Sequence, residues 1–164
     1  MARFSFKFLI ATIFMQSASM GLSPVQEVYI QDRNSGLVLE YKPQSTYQVT
    51  IQRKSTSRYQ KWILTNAGVE GYVFIQSAQN ERYVTAGNNQ ENPLFLAPKR
   101  GDLDLNQVWI LREPDSGTNP NFVLMSAKTG YVMDVYKKGT SPGTRIIIYR
   151  RSNGNWQQFS FHAE

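Results

Sequence analysis

The chain has 164 residues and a formal net charge of +6, and this length suggests one domain with a single core. It contains no cysteine, which excludes disulfides, thiolate zinc sites and cysteine nucleophiles. It has one histidine, so histidine-based triads and multi-histidine metal sites are excluded as well.

Residues 1–20 have the layout of a secretory signal peptide. A basic start is followed by an apolar run from Phe8 to Met15 and then by small and polar residues. The apolar run is too short to span a bilayer as a helix, and its alternative role is a first core helix of the domain. We expect cleavage near Ser19 or Gly21, a secreted protein of residues 21–164, and no membrane span in the mature protein.

The remaining chain consists of short runs of aromatic and β-branched residues separated by Gly, Asn, Ser and Pro. Their spacing of about 8 to 15 residues predicts an all-β sandwich or barrel, and no segment carries sustained helical periodicity. Twelve strands are predicted: Gln26–Gln31, Leu37–Tyr41, Tyr47–Arg53, Gln60–Thr65, Tyr72–Gln76, Arg82–Ala86, Leu94–Ala97, Gln107–Arg112, Asn121–Ser126, Tyr131–Val135, Arg145–Tyr149 and Gln157–Phe161.

These twelve runs form three copies of one unit. The segments YIQDRNSGLVLE, FIQSAQNERYVT and VLMSAKTGYVMD recur at offsets of 45 and 49 residues, each as strand, turn and strand. A third strand follows in each copy, and a Gln-x-aromatic strand closes it. Repetition at this period indicates a repeat architecture, with copies at about 21–66, 67–115 and 116–164. The closing pairs are Gln60 and Trp62, Gln107 and Trp109, and Gln157 and Phe159.

Three repeats of about 45 to 50 residues, each ending in Gln-x-aromatic, resemble the ricin B-type lectin domain. The resemblance covers essentially the whole mature chain. It implies a β-trefoil, with twelve strands in three pseudo-symmetric lobes preceded by a signal peptide. It also implies that Trp62, Trp109 and Phe159 are buried in a shared core, and that each Gln side chain hydrogen-bonds nearby backbone.

The resemblance also implies a carbohydrate site. In this family an Asp binds vicinal sugar hydroxyls, an aromatic ring stacks on the apolar face of galactose-type sugars, and an Asn-Gln pair completes the polar contacts. The third copy has Asp134, Tyr149 and Gln157 at these positions, with Trp156 in place of Asn and Asn155 one residue earlier. These five residues are the predicted carbohydrate-binding site.

The first two copies depart further from the family pattern. The first has Glu40 at the carboxylate position and Gln52 at the stacking position, which makes a poor galactose site. The second has Thr85 and Ala97 there, so its site is predicted to be lost. One site of three is therefore expected, for galactose or GalNAc.

Alternatives exist for the site residues and for the function. In the alternative interpretation of the site residues, Asp134 caps the following turn or pairs with Lys137 or Lys138. Tyr149 is then a buried core residue. A β-trefoil protease inhibitor would use an exposed insert such as Glu113–Asn121 as its reactive loop. A heparin-binding, growth-factor-like trefoil is supported only by the net positive charge.

The predicted partners are glycans. The basic residues are scattered in pairs along the chain, which argues against a nucleic-acid partner. The chain lacks a histidine-centred triad, a cysteine nucleophile and a metal cluster, and no close carboxylate pair recurs at a predicted pocket, so we expect neither an enzyme nor a metal or cofactor. The resemblance leaves open that the chain is the binding subunit of a toxin or effector with a partner protein chain.

Overall fold

The computed structural model describes residues 26–44, 46–115 and 120–163, so the predicted signal peptide lies outside the described residues. The described ranges contain twelve strands and no α-helix, and none of their helical turns is long or apolar enough to cross a membrane. The strands are β1 (Glu27–Asp32), β2 (Val38–Tyr41), β3 (Val49–Gln52), β4 (Trp62–Asn66), β5 (Tyr72–Ser77), β6 (Tyr83–Thr85), β7 (Phe95–Ala97), β8 (Val108–Arg112), β9 (Val123–Ser126), β10 (Val132–Val135), β11 (Ile146–Tyr149) and β12 (Phe159–Ala163).

The first and fourth strands of each copy form a closed antiparallel barrel. Strand β1 pairs with β12 and β4, β5 pairs with β4 and β8, and β8 pairs with β9. A bridge between Phe122 and Phe159 joins the last copy's two barrel strands and completes the ring. Closure leaves no unpaired edge in the barrel, which removes a surface for aggregation.

The second and third strands of each copy form three hairpins, β2–β3, β6–β7 and β10–β11. Single bridges connect each hairpin to the other two, at Gln48 with Phe95, Thr50 with Arg145, and Pro93 with Ile147. The hairpins therefore form a ring of their own next to the barrel. This arrangement is the predicted β-trefoil, with four strands from each copy.

The aromatic residue of each Gln-x-aromatic motif lies in the core, as predicted. Trp62, Trp109 and Phe159 have no exposed surface. The indole N–H of Trp62 donates to the Leu39 carbonyl, and that of Trp109 donates to the Val84 carbonyl, each over 3.1 Å. Phe159 has no donor, so the third copy lacks this bond between its closing strand and its hairpin.

The predicted strand ends agree with the structure within two residues, and every predicted strand except β5 begins one or two residues too early. Gln60, Gln107 and Gln157 end short 3₁₀ turns, and the strand begins one or two residues later. Side chains cap two of these turns: the Ser57 hydroxyl and the Asp104 carboxylate accept backbone N–H bonds. Such caps favour a turn over an extended strand.

Candidate functional site

The side-chain amide of each motif Gln makes two hydrogen bonds to the backbone, one as donor and one as acceptor. In the third copy, Gln157 Nε2 donates to the Arg150 carbonyl over 3.0 Å, and its Oε1 accepts from the Ser152 N–H over 2.7 Å. Gln60 makes the same pair of bonds with Arg53 and Ser55. Gln107 repeats them in the second copy. The predicted structural role of the Gln is confirmed.

Each Gln also donates to the side chain at the family's carboxylate position. Gln157 Nε2 lies 2.7 Å from Asp134 Oδ2, and Gln60 Nε2 lies 2.7 Å from Glu40 Oε2. In the second copy the acceptor is the Thr85 hydroxyl, at 3.1 Å. The closing motif thus holds the candidate sugar-binding position in place in every copy.

Asp134 and Tyr149 lie on one face of the third hairpin. Strands β10 and β11 are antiparallel, with Asp134 opposite Ile147 and Val132 opposite Tyr149. Because side chains alternate along a strand, Asp134 and Tyr149 project to the same side. Asp134 is only 6% exposed, whereas Tyr149 is half-buried.

A surface pocket of about 390 Å³ lies over this face. Asp134, Tyr149 and Trp156 line it together, while Gln157 is buried and binds the Asp134 carboxylate. Asn155 is exposed and does not line the pocket. The full lining is Glu91, Asp134, Tyr136, Lys137, Lys138, Ile147, Tyr149, Arg150, Arg151, Ser152 and Trp156.

Trp156 reaches the pocket because the turn before it contains a glycine. A Cβ at Gly154 would lie 2.3–2.4 Å from the indole ring, so the ring rests directly on the Gly154 backbone. The Trp156 side chain also lies close to the Asp134 carboxylate and stabilises its charged form. The Lys138 ammonium lies 4.4 Å from the centre of the indole. The Trp156 side chain is therefore close to both the Asp134 carboxylate and the Lys138 ammonium.

Burial raises the pKa of the Asp134 carboxyl from 3.8 to about 6. Hydrogen bonds from Gln157 and Trp156 oppose this shift because they stabilise the charged form. Repulsion from Asp32 raises the pKa further, and attraction to Lys138 lowers it. Asp32 belongs to the first copy, whose Asn34 side chain donates to the Lys138 carbonyl over 3.4 Å.

The structure bears on the alternative interpretations of Asp134 and Tyr149. Within the described part of the chain, Asp134 forms no ion pair with Lys137 or Lys138, and its carboxylate accepts a hydrogen bond from Gln157 Nε2 rather than from the turn backbone. Tyr149 lines the pocket and is not a core residue. The insert Glu113–Asn121, which would be the reactive loop of an inhibitor, contains residues 116–119 outside the described ranges.

Several pocket residues were not identified from the sequence. Lys137 and Lys138 are three and four residues after Asp134, and this proximity in the chain is the signal that could have placed them at the site. Glu91 comes from the second copy and reaches the pocket because its N–H donates to the Ile148 carbonyl over 2.8 Å. No local sequence pattern indicates that contact.

Neither of the other two copies combines a carboxylate with an aromatic ring at the position of Tyr149. In the first, Gln52 stands where Tyr149 stands, and its amide donates to the Thr50 hydroxyl. Tyr59, at the position of Trp156, is 37% exposed and packs edge-on against Tyr41 at 5.2 Å. In the second, the Asn106 amide binds the Ala86 carbonyl. Ranges 26–44, 46–115 and 120–163 contain no group of three potential metal ligands.

Comparison with known proteins identifies the family. The family model described as "Ricin-type beta-trefoil lectin domain-like" matches residues 58–149, more than half of the chain. The chain belongs to this family. A ricin-type lectin domain supports carbohydrate binding. No curated protein matches the sequence significantly.

Solved structures of similar fold include ricin-type lectins. The Rhizoctonia solani agglutinin superimposes with a TM-score of 0.72 at 20% identity, over 90% of this chain and 100% of the agglutinin. The Macrolepiota procera ricin B-like lectin in complex with lactose gives 0.72 at 16% identity, over 87% and 98%. An exo-β-1,3-galactanase from Clostridium thermocellum gives 0.78 at 21% identity, over 89% of this chain but 32% of the enzyme. At these identities the likeness shows the fold.

Proposed function

We propose that this protein is a secreted lectin that binds galactose-type glycans through a single site in its third copy. The observation that carries the proposal is the meeting of Asp134, Tyr149 and Trp156 in one pocket on the β10–β11 hairpin. Small-molecule sites are concave and combine apolar surface with a few placed polar groups. This pocket has both.

Each residue has a role that follows from its chemistry. The Asp134 carboxylate makes charge-assisted hydrogen bonds to neighbouring sugar hydroxyls, and Gln157 fixes its orientation. The Tyr149 ring covers the C–H face of the sugar, which a flat aromatic surface complements. Trp156 adds a second ring, and Asn155 lies at the outer edge of the same turn.

Two similar proteins support a galactose-type ligand. One was solved with lactose, whose terminal sugar is galactose, and the other is a galactanase. The galactanase is an enzyme, and the superimposed part is 32% of its chain. For the present chain we propose binding without catalysis. Secretion follows from the signal-peptide layout of residues 1–20.

A single shallow pocket orders few groups, so we expect a dissociation constant for lactose on the order of 1 mM. Binding to cell surfaces or mucins would then depend on several sites acting together. Self-association or a partner protein chain would supply them, because linked sites raise avidity without new contacts.

The test compares the copies by isothermal titration with lactose and by glycan array. Asp134→Ala and Tyr149→Ala should each lower lactose affinity at least about tenfold, a loss of about 1.4 kcal/mol. Glu40→Ala is the matched control, because Glu40 accepts the equivalent Gln bond in the first copy. All variants should keep their thermal stability within a few degrees. Loss of binding in Glu40→Ala with full binding in Asp134→Ala would contradict the proposed site.

A further inference from the structure

We infer that the galactoside bound by this pocket carries an anionic substituent, either a sulfate ester or a carboxylate. The inference rests on the proposed function and names its substrate class. It is carried by three cations at the pocket rim, Lys137, Lys138 and Arg150, which face the sugar site.

The protein offsets these three cations only in part, through the attraction between Lys138 and Asp134. In the part of the chain that the structure describes, none of them forms an ion pair with a carboxylate. They lie against aromatic rings instead: the charged groups of Lys137, Lys138 and Arg150 are 5.3, 4.4 and 5.7 Å from the nearest ring centres. A ring face holds a cation in position without cancelling its charge.

Arg151, the fourth basic residue of the lining, is different. Its guanidinium lies 2.7 Å from the Asp115 carboxylate and donates to the Glu113 carbonyl over 2.9 Å. Arg151 therefore holds the neighbouring loop. Three cations then remain in the lining against two carboxylates, the exposed Glu91 and the buried Asp134, so positive charge is in excess at the pocket.

The lysine pair occurs in only one copy. Counting from the carboxylate position, Lys137 and Lys138 correspond to Pro43 and Gln44 in the first copy and to Asn88 and Asn89 in the second. The repeat does not need charge at these positions. The charge is found where Asp134 and Tyr149 are also present.

The backbone at the lysine pair is unfavourable for lysine. Lys137 has φ 52° and Lys138 has φ 59°, both in the left-handed region that Gly and Asn adopt more readily. Strained residues of this kind concentrate at functional sites. The turn therefore keeps two long cationic side chains where smaller residues would fit its backbone better, which points to a role for the side chains.

The position of Lys138 connects the charge to the sugar. Its ammonium lies against Trp156, whose side chain is close to the Asp134 carboxylate and lines the same pocket. An acidic group on a sugar held by Asp134 would otherwise be repelled by that carboxylate and by Glu91. Ammonium and guanidinium groups offset the repulsion and bind sulfate or carboxylate oxygens through charge-assisted hydrogen bonds.

The experiment measures affinity for three probes that share one sugar core: lactose, lactose 3′-sulfate and 3′-sialyllactose. We expect at least one acidic probe to bind about tenfold more tightly than lactose at low salt, with a smaller difference at 1 M salt. Lys137→Gln/Lys138→Gln should remove the preference, so that the ratio of acidic-probe affinity to lactose affinity falls to about one. Lys42→Gln/Lys128→Gln removes the same charge at exposed positions outside the pocket and should keep the preference.

The outcomes distinguish the proposed lectin function from the proposed preference for acidic galactosides. A preference for only the sulfated or only the sialylated probe identifies the acidic group. Equal affinity for all three probes, or a preference that survives Lys137→Gln/Lys138→Gln, would overturn the inference and leave the proposed function intact. Failure of all three probes to bind would overturn the proposed function, and this inference with it. Tight binding of a heparin oligosaccharide that persists in Asp134→Asn would assign the cations to polyanions instead.

Discussion

At the scale of single residues, Asp134 connects sugar binding to pH. Its pKa of about 6 means that the carboxylate is charged at pH 7.5 and mostly protonated at pH 5. Since the charged form makes the stronger hydrogen bonds to hydroxyls, lactose affinity should fall about tenfold between these pH values. Titration calorimetry from pH 7.5 to 5 measures this, with thermal stability followed alongside. An affinity that is flat across this range would contradict the assigned role.

The same carboxyl makes a second prediction, for stability. Its folded-state pKa lies above 3.8, so its stabilising contribution is full below pH 3.8 and is lost as pH rises through about 6. Asp134→Asn keeps an acceptor for Gln157 but does not titrate. The stability of this variant relative to wild type should therefore increase from pH 4 to pH 7. Urea unfolding at several pH values tests the sign.

At the scale of the structural element, the turn at Gly154 shapes the pocket. Gly154 has ordinary extended backbone angles, so Ala fits the backbone but not the space beneath the indole. We expect Gly154→Ala to displace Trp156 and to lower lactose affinity several-fold, with tryptophan fluorescence reporting the movement. Asn153→Ala, at the exposed neighbouring residue, is the control. Unchanged binding in Gly154→Ala would show that the indole does not contact the sugar.

The 3₁₀ turns supply another comparison between copies. Gln157→Ala and Gln107→Ala each remove bonds to backbone and to one side chain, and each should cost about 1–3 kcal/mol of unfolding free energy. Only Gln157 holds Asp134, so only Gln157→Ala should also weaken lactose binding. Chemical denaturation and calorimetry separate the two effects. Equal lactose affinity of the two variants would show that Gln157 does not contribute to the sugar site.

The strands and the site differ in how far local sequence determines them. The strands were predictable because aromatic and β-branched runs recur three times, and the repeat supported each weak signal. Gln60 and Gln107 were wrongly included in strands because the caps Ser57 and Asp104 each act through one side-chain bond that periodicity does not register. Glu91 could not be placed in the pocket, since its contact with β11 depends on how two copies meet in three dimensions.

At the scale of the whole molecule, the barrel and the ring of hairpins connect the three copies. Trp109→Ala empties a fully buried site and should cost about 3–5 kcal/mol through cavity formation. Because the bridges tie each hairpin to the other two, the variant should still unfold in one transition. Near-ultraviolet and far-ultraviolet circular dichroism should give coincident melting curves. A separate early transition of the second copy would show that the lobes are not coupled.

The bond that each Gln makes to the carboxylate position has a consequence for how such a protein evolves. Glu40, Thr85 and Asp134 all accept it, so any side-chain oxygen of suitable reach satisfies the strand. A mutation that removes the carboxylate can thus abolish sugar binding in one lobe at little cost to folding. Duplicated units can lose their ligands one at a time while remaining necessary as architecture, and selection for binding then acts on the lobe that is left.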